Sequence, residues 1–272
     1  GAWTPEDHFL LEKLSPDAVL FVGDLGEADL RISKIIRDLP IPTAVILGNH
    51  DRGFDGTGEI LKKQISILGD SYCGWNKCNW GLKEISVIGA APWSSGGGFY
   101  LSPEVRGAFG EVSLTESVEI ISNAANSASV ELPLVVLAHS GPSGLGSEAD
   151  SPCGRDWKSP AIDWGDKDLQ LAIDKIRKKR IPDIVVFGHT HHSLRGGSRD
   201  RKTFSKDTYG TVYLNAAYVP RKGISVEGEQ LCHFSWIKFD SGVLTHVSHR
   251  WFQKDASLAY EELLFDIDNQ GN

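Results

Sequence analysis

IVVFGHTHH, residues 184–192, runs four apolar residues straight into a glycine and three histidines. A short apolar run of this kind, ended by a turn signal, reads as a strand buried on both faces of a sheet. Three further stretches repeat the plan. AVLFV (18–22) precedes Gly23-Asp24, TAVIL (43–47) precedes Gly48-Asn49-His50-Asp51, and LVVLA (134–138) precedes His139. ISVIG (85–89) and TVYLN (211–215) add two more strands. Amphipathic segments at Pro5–Leu14, 28–39, Glu59–Leu68, 114–125 and 166–179 alternate with them as helices. That alternation predicts an α/β fold. In open α/β sheets a ligand binds outside the carboxyl ends of the strands, so the four marked ends define the candidate site.

An Asp, an Asn and three His at one sheet edge make a mixed oxygen/nitrogen donor set, suited to Mn, Fe or Zn. Taken singly, each residue has a plainer reading. Asp24 could cap a helix, Asn49 could hold a left-handed turn, and His139 could be a satisfied core histidine. Their recurrence at strand ends favours a joint role. His189 and His191 alternate and so share one side of an extended segment, which leaves His192 facing solvent. His8, His233, His246 and His249 have no comparable placement.

Composition narrows the classes. Against 36 acidic residues stand 28 basic ones, and the net charge of −8 disfavours a general nucleic-acid or anionic-membrane surface. No apolar run approaches the roughly 20 residues of a membrane span. Cys73, Cys78, Cys153 and Cys232 are too few for a disulfide framework in 272 residues. CGWNKC (73–78) lacks a second pair for a zinc site, so the cysteines read as buried or loop thiols. Lys178-Lys179-Arg180 reads as the basic end of a helix. Without repeats or linkers, residues 1–272 are expected to form one domain. Its last part, after Gly210, should be antiparallel strands including 234–239 and 243–249, followed by an acidic tail from Asp255, frayed or helical. Trp93, Trp157 and Trp164 sit in two long loops, as a wall over the site or as core packing. The absence of methionine is taken to mean that the chain has been trimmed.

Gly23-Asp24, Gly48-Asn49-His50-Asp51, His139 and Gly188-His189-Thr190-His191, in that order, resemble the calcineurin-like metallophosphoesterase superfamily, over about Pro5 to Asn215. GPSGLG (141–146) and CGRDW (153–157) look like an uncharacterised branch found in plants and cyanobacteria. The resemblance implies a four-layer α/β/β/α sandwich holding two divalent metal ions (Mn, Fe or Zn). On it, Asp24 bridges the ions, Asn49, His139 and His189 complete one site, and His191 belongs to the other. His50 is then the general acid or a stabiliser of developing charge, with Asp51 as its orienting partner. Arg52 and Arg155 are candidates for gripping a phosphate, against a reading as solvated loop arginines.

The family's first motif, an Asp-x-His ending the first strand, has no clear counterpart. Glu6-Asp7-His8 is the nearest imitation, and it lies inside a helix pattern. The chain is therefore expected to lack that first strand, to hold one metal better than two and to hydrolyse poorly. The implied activity is metal-dependent hydrolysis of a phosphate ester of unspecified type. Its rival is a non-catalytic interaction scaffold on the same fold, which the absent motif favours and the retention of His50 and five ligand-type residues disfavours. An α/β hydrolase using Ser140 fails for want of a G-x-S-x-G elbow. A plastid or cytoplasmic, soluble setting rests on the resemblance alone.

Overall fold

The computed structural model describes residues 3–79, 84–195, 197 and 199–268. Among them the first element is helix α1 (Pro5–Leu14), not a strand. Thr4 caps it, accepting from the Asp7 N–H while Asp7 accepts in return from Thr4, and Pro5 opens the first turn. Strand β1 (Val19–Phe21) lies parallel to β2 (Thr43–Val45); α2 (Leu30–Arg37) packs on α3 (Glu59–Leu68), and α3 on α4 (Pro103–Phe109). A second sheet has the order β3 (Ser86–Gly89), β4 (Leu134–Leu137), β5 (Ile184–Phe187), β7 (Val212–Asn215) and β6 (Phe204–Lys206). All its pairings are parallel except β6 with β7. A third sheet, antiparallel throughout, has β8 (Lys222–Ile224), β9 (Gln230–Asp240), β10 (Val243–Gln253) and β11 (Leu258–Asp266) in the order β11-β10-β9-β8.

The layers follow from which faces are apolar. Helices α5 (Leu114–Ser127) and α6 (Lys167–Ile176) pack on one another, and α5 meets β3 on the outer face of the five-stranded sheet. Val247, Leu244 and Phe265 of the antiparallel sheet join the same core as Val135, Val186 and Leu214. On that sheet's far side Leu10 of α1 packs with Cys232 and Phe252. The order is helix, sheet, sheet, helix. Each large aliphatic side chain sealed between layers contributes about 1.5–3 kcal/mol. No helix among the described residues is long and apolar enough to cross a membrane.

Four expectations are corrected. The acidic tail is neither frayed nor helical: 258–266 is β11, because Phe265 is buried against Phe204 and Glu261 pairs with Arg250 on β10. Strand β1 is only half-buried along its length, since it pairs on one side alone, with β2. Helix α2 starts two residues later than expected, where Asp29 accepts from Arg31 N–H after Glu27 and Ala28 have taken left-handed backbone. The basic run at 178–180 lies beyond α6, and Arg180 donates instead to the Ser129 carbonyl. All four cysteines are buried free thiols, as read.

Candidate metal centre

Glycine brings the strand ends together. A Cβ on Gly23 would lie 2.6 Å from His139 Nδ1, and one on Gly48 would lie 2.5 Å from His139 Cε1. Behind β5, Gly188 N–H donates to the His139 carbonyl at 2.9 Å, which locks that turn to the end of β4. Asp24 and His189 themselves hold φ of 54° and 66°. Left-handed backbone in a non-glycine residue costs on the order of 1–3 kcal/mol and persists only where the surroundings impose it.

The donor atoms of Asp24, His139 and His189 all lie within 4.8 Å of one another. His139 Nε2 is 3.4 Å from Asp24 Oδ1 and 3.0 Å from Asn49 Oδ1. Its other nitrogen, Nδ1, is 2.6 Å from the Val22 carbonyl, which can only accept. Nδ1 therefore carries the proton, and Nε2 offers a lone pair. Three atoms able to ligate a metal thus converge, an arrangement that a cation satisfies. Burial, reinforced by the neighbouring His139, takes the His189 pKa down to about 3, so the His189 ring is neutral near pH 7. Burial works against the charged form of Asp24, but His139 and the His50 N–H, donating at 3.0 Å, hold its pKa below the ordinary value. An anionic oxygen, an amide oxygen and two imidazoles fit a borderline divalent ion. His191 stands at the rim, its pKa lowered by partial burial.

The remaining predicted residues sort differently. His50 keeps an exposed ring, and its Nδ1 is 3.0 Å from Glu27 Oε1 rather than facing Asp51. Asp51 is buried and accepts from Gly48 N–H at 2.8 Å and Leu25 N–H at 2.9 Å, tying the 48–51 turn to the Asp24 turn. Arg52 Nε lies 3.9 Å from Glu104 Oε2 without a hydrogen bond, and the guanidinium sits on the face of Phe54. Arg155 lies over the Trp164 ring at 5.1 Å. His192 is not solvent-facing: it is buried and stacked on Tyr218 with ring centroids 3.7 Å apart. The left-handed step at His189 breaks the alternation that the extended reading assumed. Trp93 goes to the core, against Tyr72 and Phe109, whereas Trp157 and Trp164 pair with each other in the loop.

Sequence reading missed four supports. Glu27 carries no motif signal. Arg201, almost fully buried, donates from Nε to the His191 carbonyl and from one terminal nitrogen to the carbonyls of Ala149, Ser151 and Gly154. Asn215 donates to the Thr190 carbonyl at 2.8 Å, and its place at the end of β7 was a signal of the kind already in use. Asp166, in the N-cap position of α6, is bound by Ser94 instead of capping, and burial pushes its pKa well up. A cavity of about 970 Å³ runs from the centre along β1. Asp24, His139, His189 and His191 line one end, and Val135, Val186, Ile237 and Phe239 form apolar walls.

One crystal structure matches at 11% identity with a TM-score of 0.50, covering 96% of this chain and 93% of its own. A crystal structure of a hypothetical protein from Thermus thermophilus, also 11% identical, covers 91% and 92% with a TM-score of 0.48. No curated protein matches. The family model described as calcineurin-like phosphoesterase matches residues 6–193, which include Asp24, Asn49, His139, His189 and His191, and the chain belongs to that family.

Proposed function

We propose that this chain is a metal-dependent phosphoesterase whose centre is built on Asp24, Asn49, His139 and His189. The convergence of donors on His139 Nε2 carries this reading. A divalent ion held there supplies a Lewis acid for a phosphoryl oxygen and lowers the pKa of water. The Val22 carbonyl fixes the tautomer of His139 that such an ion requires. A second ion would have only His191 and a shared Asp24 from this chain, an incomplete set, so one ion would be held better than two.

His50 acts on the leaving group. Glu27 holds its Nδ1, which leaves Nε2 to donate a proton to the departing oxygen. Asp51 serves the reaction indirectly, fixing the turn that carries Asn49 and His50. Arg52 and Arg155 remain candidates for gripping the phosphate, although Arg52 lies 3.9 Å from Glu104 and Arg155 donates to the Pro160 carbonyl at 2.8 Å. The test is Mn-stimulated hydrolysis of p-nitrophenyl phosphate. It is expected to be lost in Asp24→Ala and His189→Ala, together with bound metal. A chain that binds no divalent ion and hydrolyses nothing would leave the scaffold reading in its place.

A further inference from the structure

Trp157 is 40% exposed, an unusual state for the largest apolar side chain. It meets Trp164 edge to face, with ring centroids 5.4 Å apart and planes at 82°. Trp164 is immobilised. Its indole N–H donates to the Ser95 carbonyl at 2.8 Å, its own carbonyl accepts from Gly97 N–H at 2.7 Å, and a Cβ on Gly97 would fall 2.6 Å from its ring atom Cδ2. Arg155 lies over the same ring, and its Nε is buried with no hydrogen-bond partner.

Two independent tethers hold this group beside the metal centre. The Ser95 backbone that receives the Trp164 N–H also approaches the His189 ring. Asp156, between Arg155 and Trp157, accepts from Arg195 N–H at 2.6 Å and pairs with Arg201 at 3.4 Å, and Arg201 Nε donates to the His191 carbonyl at 2.8 Å. The segment 155–157 is thus tied through Arg201 to His191, and the Trp164 ring it packs on is tied through Ser95 to His189. An exposed indole face on a rigid mount, beside a guanidinium whose Nε lacks a partner while one terminal nitrogen donates to the Pro160 carbonyl at 2.8 Å, suits a ligand that is flat and apolar at one end and anionic at the other.

We propose that Trp157 is a specificity-determining residue, stacking a planar aromatic ring of the substrate's leaving group while Arg155 meets its phosphate. The substrate class is a phosphate ester of an aryl alcohol or a nucleoside. The inference rests on the phosphoesterase reading above.

Non-hydrolysable phosphonates test it by equilibrium dialysis in the presence of Mn. The probes are propylphosphonate, benzylphosphonate and the methylenephosphonate analogue of a nucleoside 5′-monophosphate. At least one aromatic probe is expected to bind about tenfold or more tightly than propylphosphonate, within the range of base–aromatic stacking. Preference for the nucleoside probe over the benzyl one assigns a nucleobase; the reverse assigns an aryl ring. Trp157→Ala is expected to bring the preference within about twofold, Trp157→Phe to retain it, and both to keep the affinity for propylphosphonate. Equal binding of all three probes, or a preference that survives Trp157→Ala, overturns the proposal and leaves the phosphoesterase reading intact. If Mn binds and no phosphonate does, both fall.

Discussion

Gly48 has no side chain because its neighbours occupy the place of one. A methyl group there would meet Asp24 Oδ1 and His139 Cε1 together, the two residues whose separation sets the centre. Gly48→Ala is therefore expected to weaken Mn binding by at least about tenfold, or 1.4 kcal/mol, while far-UV circular dichroism stays native. Paramagnetic relaxation of water protons during a Mn titration measures this directly. His50 offers a second residue-scale test. A proton donor matters most when the leaving oxygen is basic, so p-nitrophenolate, a stable anion, needs little help. His50→Ala should lower kcat for an alkyl phosphate by about 10²–10⁴-fold and for p-nitrophenyl phosphate by much less. Equal losses on both substrates would mean that the ring stabilises charge instead of donating a proton.

At the scale of elements, Asp7 shows what a sequence motif can conceal. In Glu6-Asp7-His8 it imitates a ligand, yet its fully buried carboxylate joins α1 to the strand region of Arg221, at 3.1 Å, and Lys222, at 2.9 Å. Burial alone would raise its pKa; the Arg221 charge, together with hydrogen bonds from Arg221, Lys222 and Cys232, outweighs it, and the carboxyl is held well below its ordinary value. A depressed carboxylate contributes stability above its unfolded pKa, about 3.9, which is lost as pH falls toward the folded value. Asp7→Asn is expected to cost about 3 kcal/mol in urea unfolding between pH 5 and 8, and the gap to wild type should narrow below about pH 4. The core strands and their chemistry were legible because β2, β4, β5 and β7 are apolar on both faces and their polar ends sit in sequence order. Strand β11 was not, since only Phe265 is buried and its Glu261 and Asp266 are matched by Arg250 and His246 on β10. Nor could Arg201 be read, because it binds main-chain carbonyls, which carry no residue identity, at separations of about 50 positions.

For the whole molecule, metal binding and stability are one equilibrium. Residues 24, 49, 139 and 189 come from four separate connections, so an ion held among them cross-links turns that follow β1, β2, β4 and β5. Anything that binds the native state alone stabilises it by RT ln(1 + [L]/Kd), about 2.7 kcal/mol at a hundredfold excess over Kd. In a chain of this size that corresponds to roughly 5–10 °C in Tm. Addition of Mn should raise Tm by this order, EDTA should reverse the gain, and Asp24→Ala should show neither response. The dependence on concentration also counts the ions. Beyond saturation, each bound ion adds about 1.4 kcal/mol of stability per tenfold rise in free metal, so one ion and two ions differ twofold in slope. Among the described residues, Asp24, His139 and His189 form the one gathered group of three carboxylate or imidazole ligands, with His191 at the rim. The expected slope is therefore that of one ion, and twice that slope would place a second ion beside His191 in the working protein.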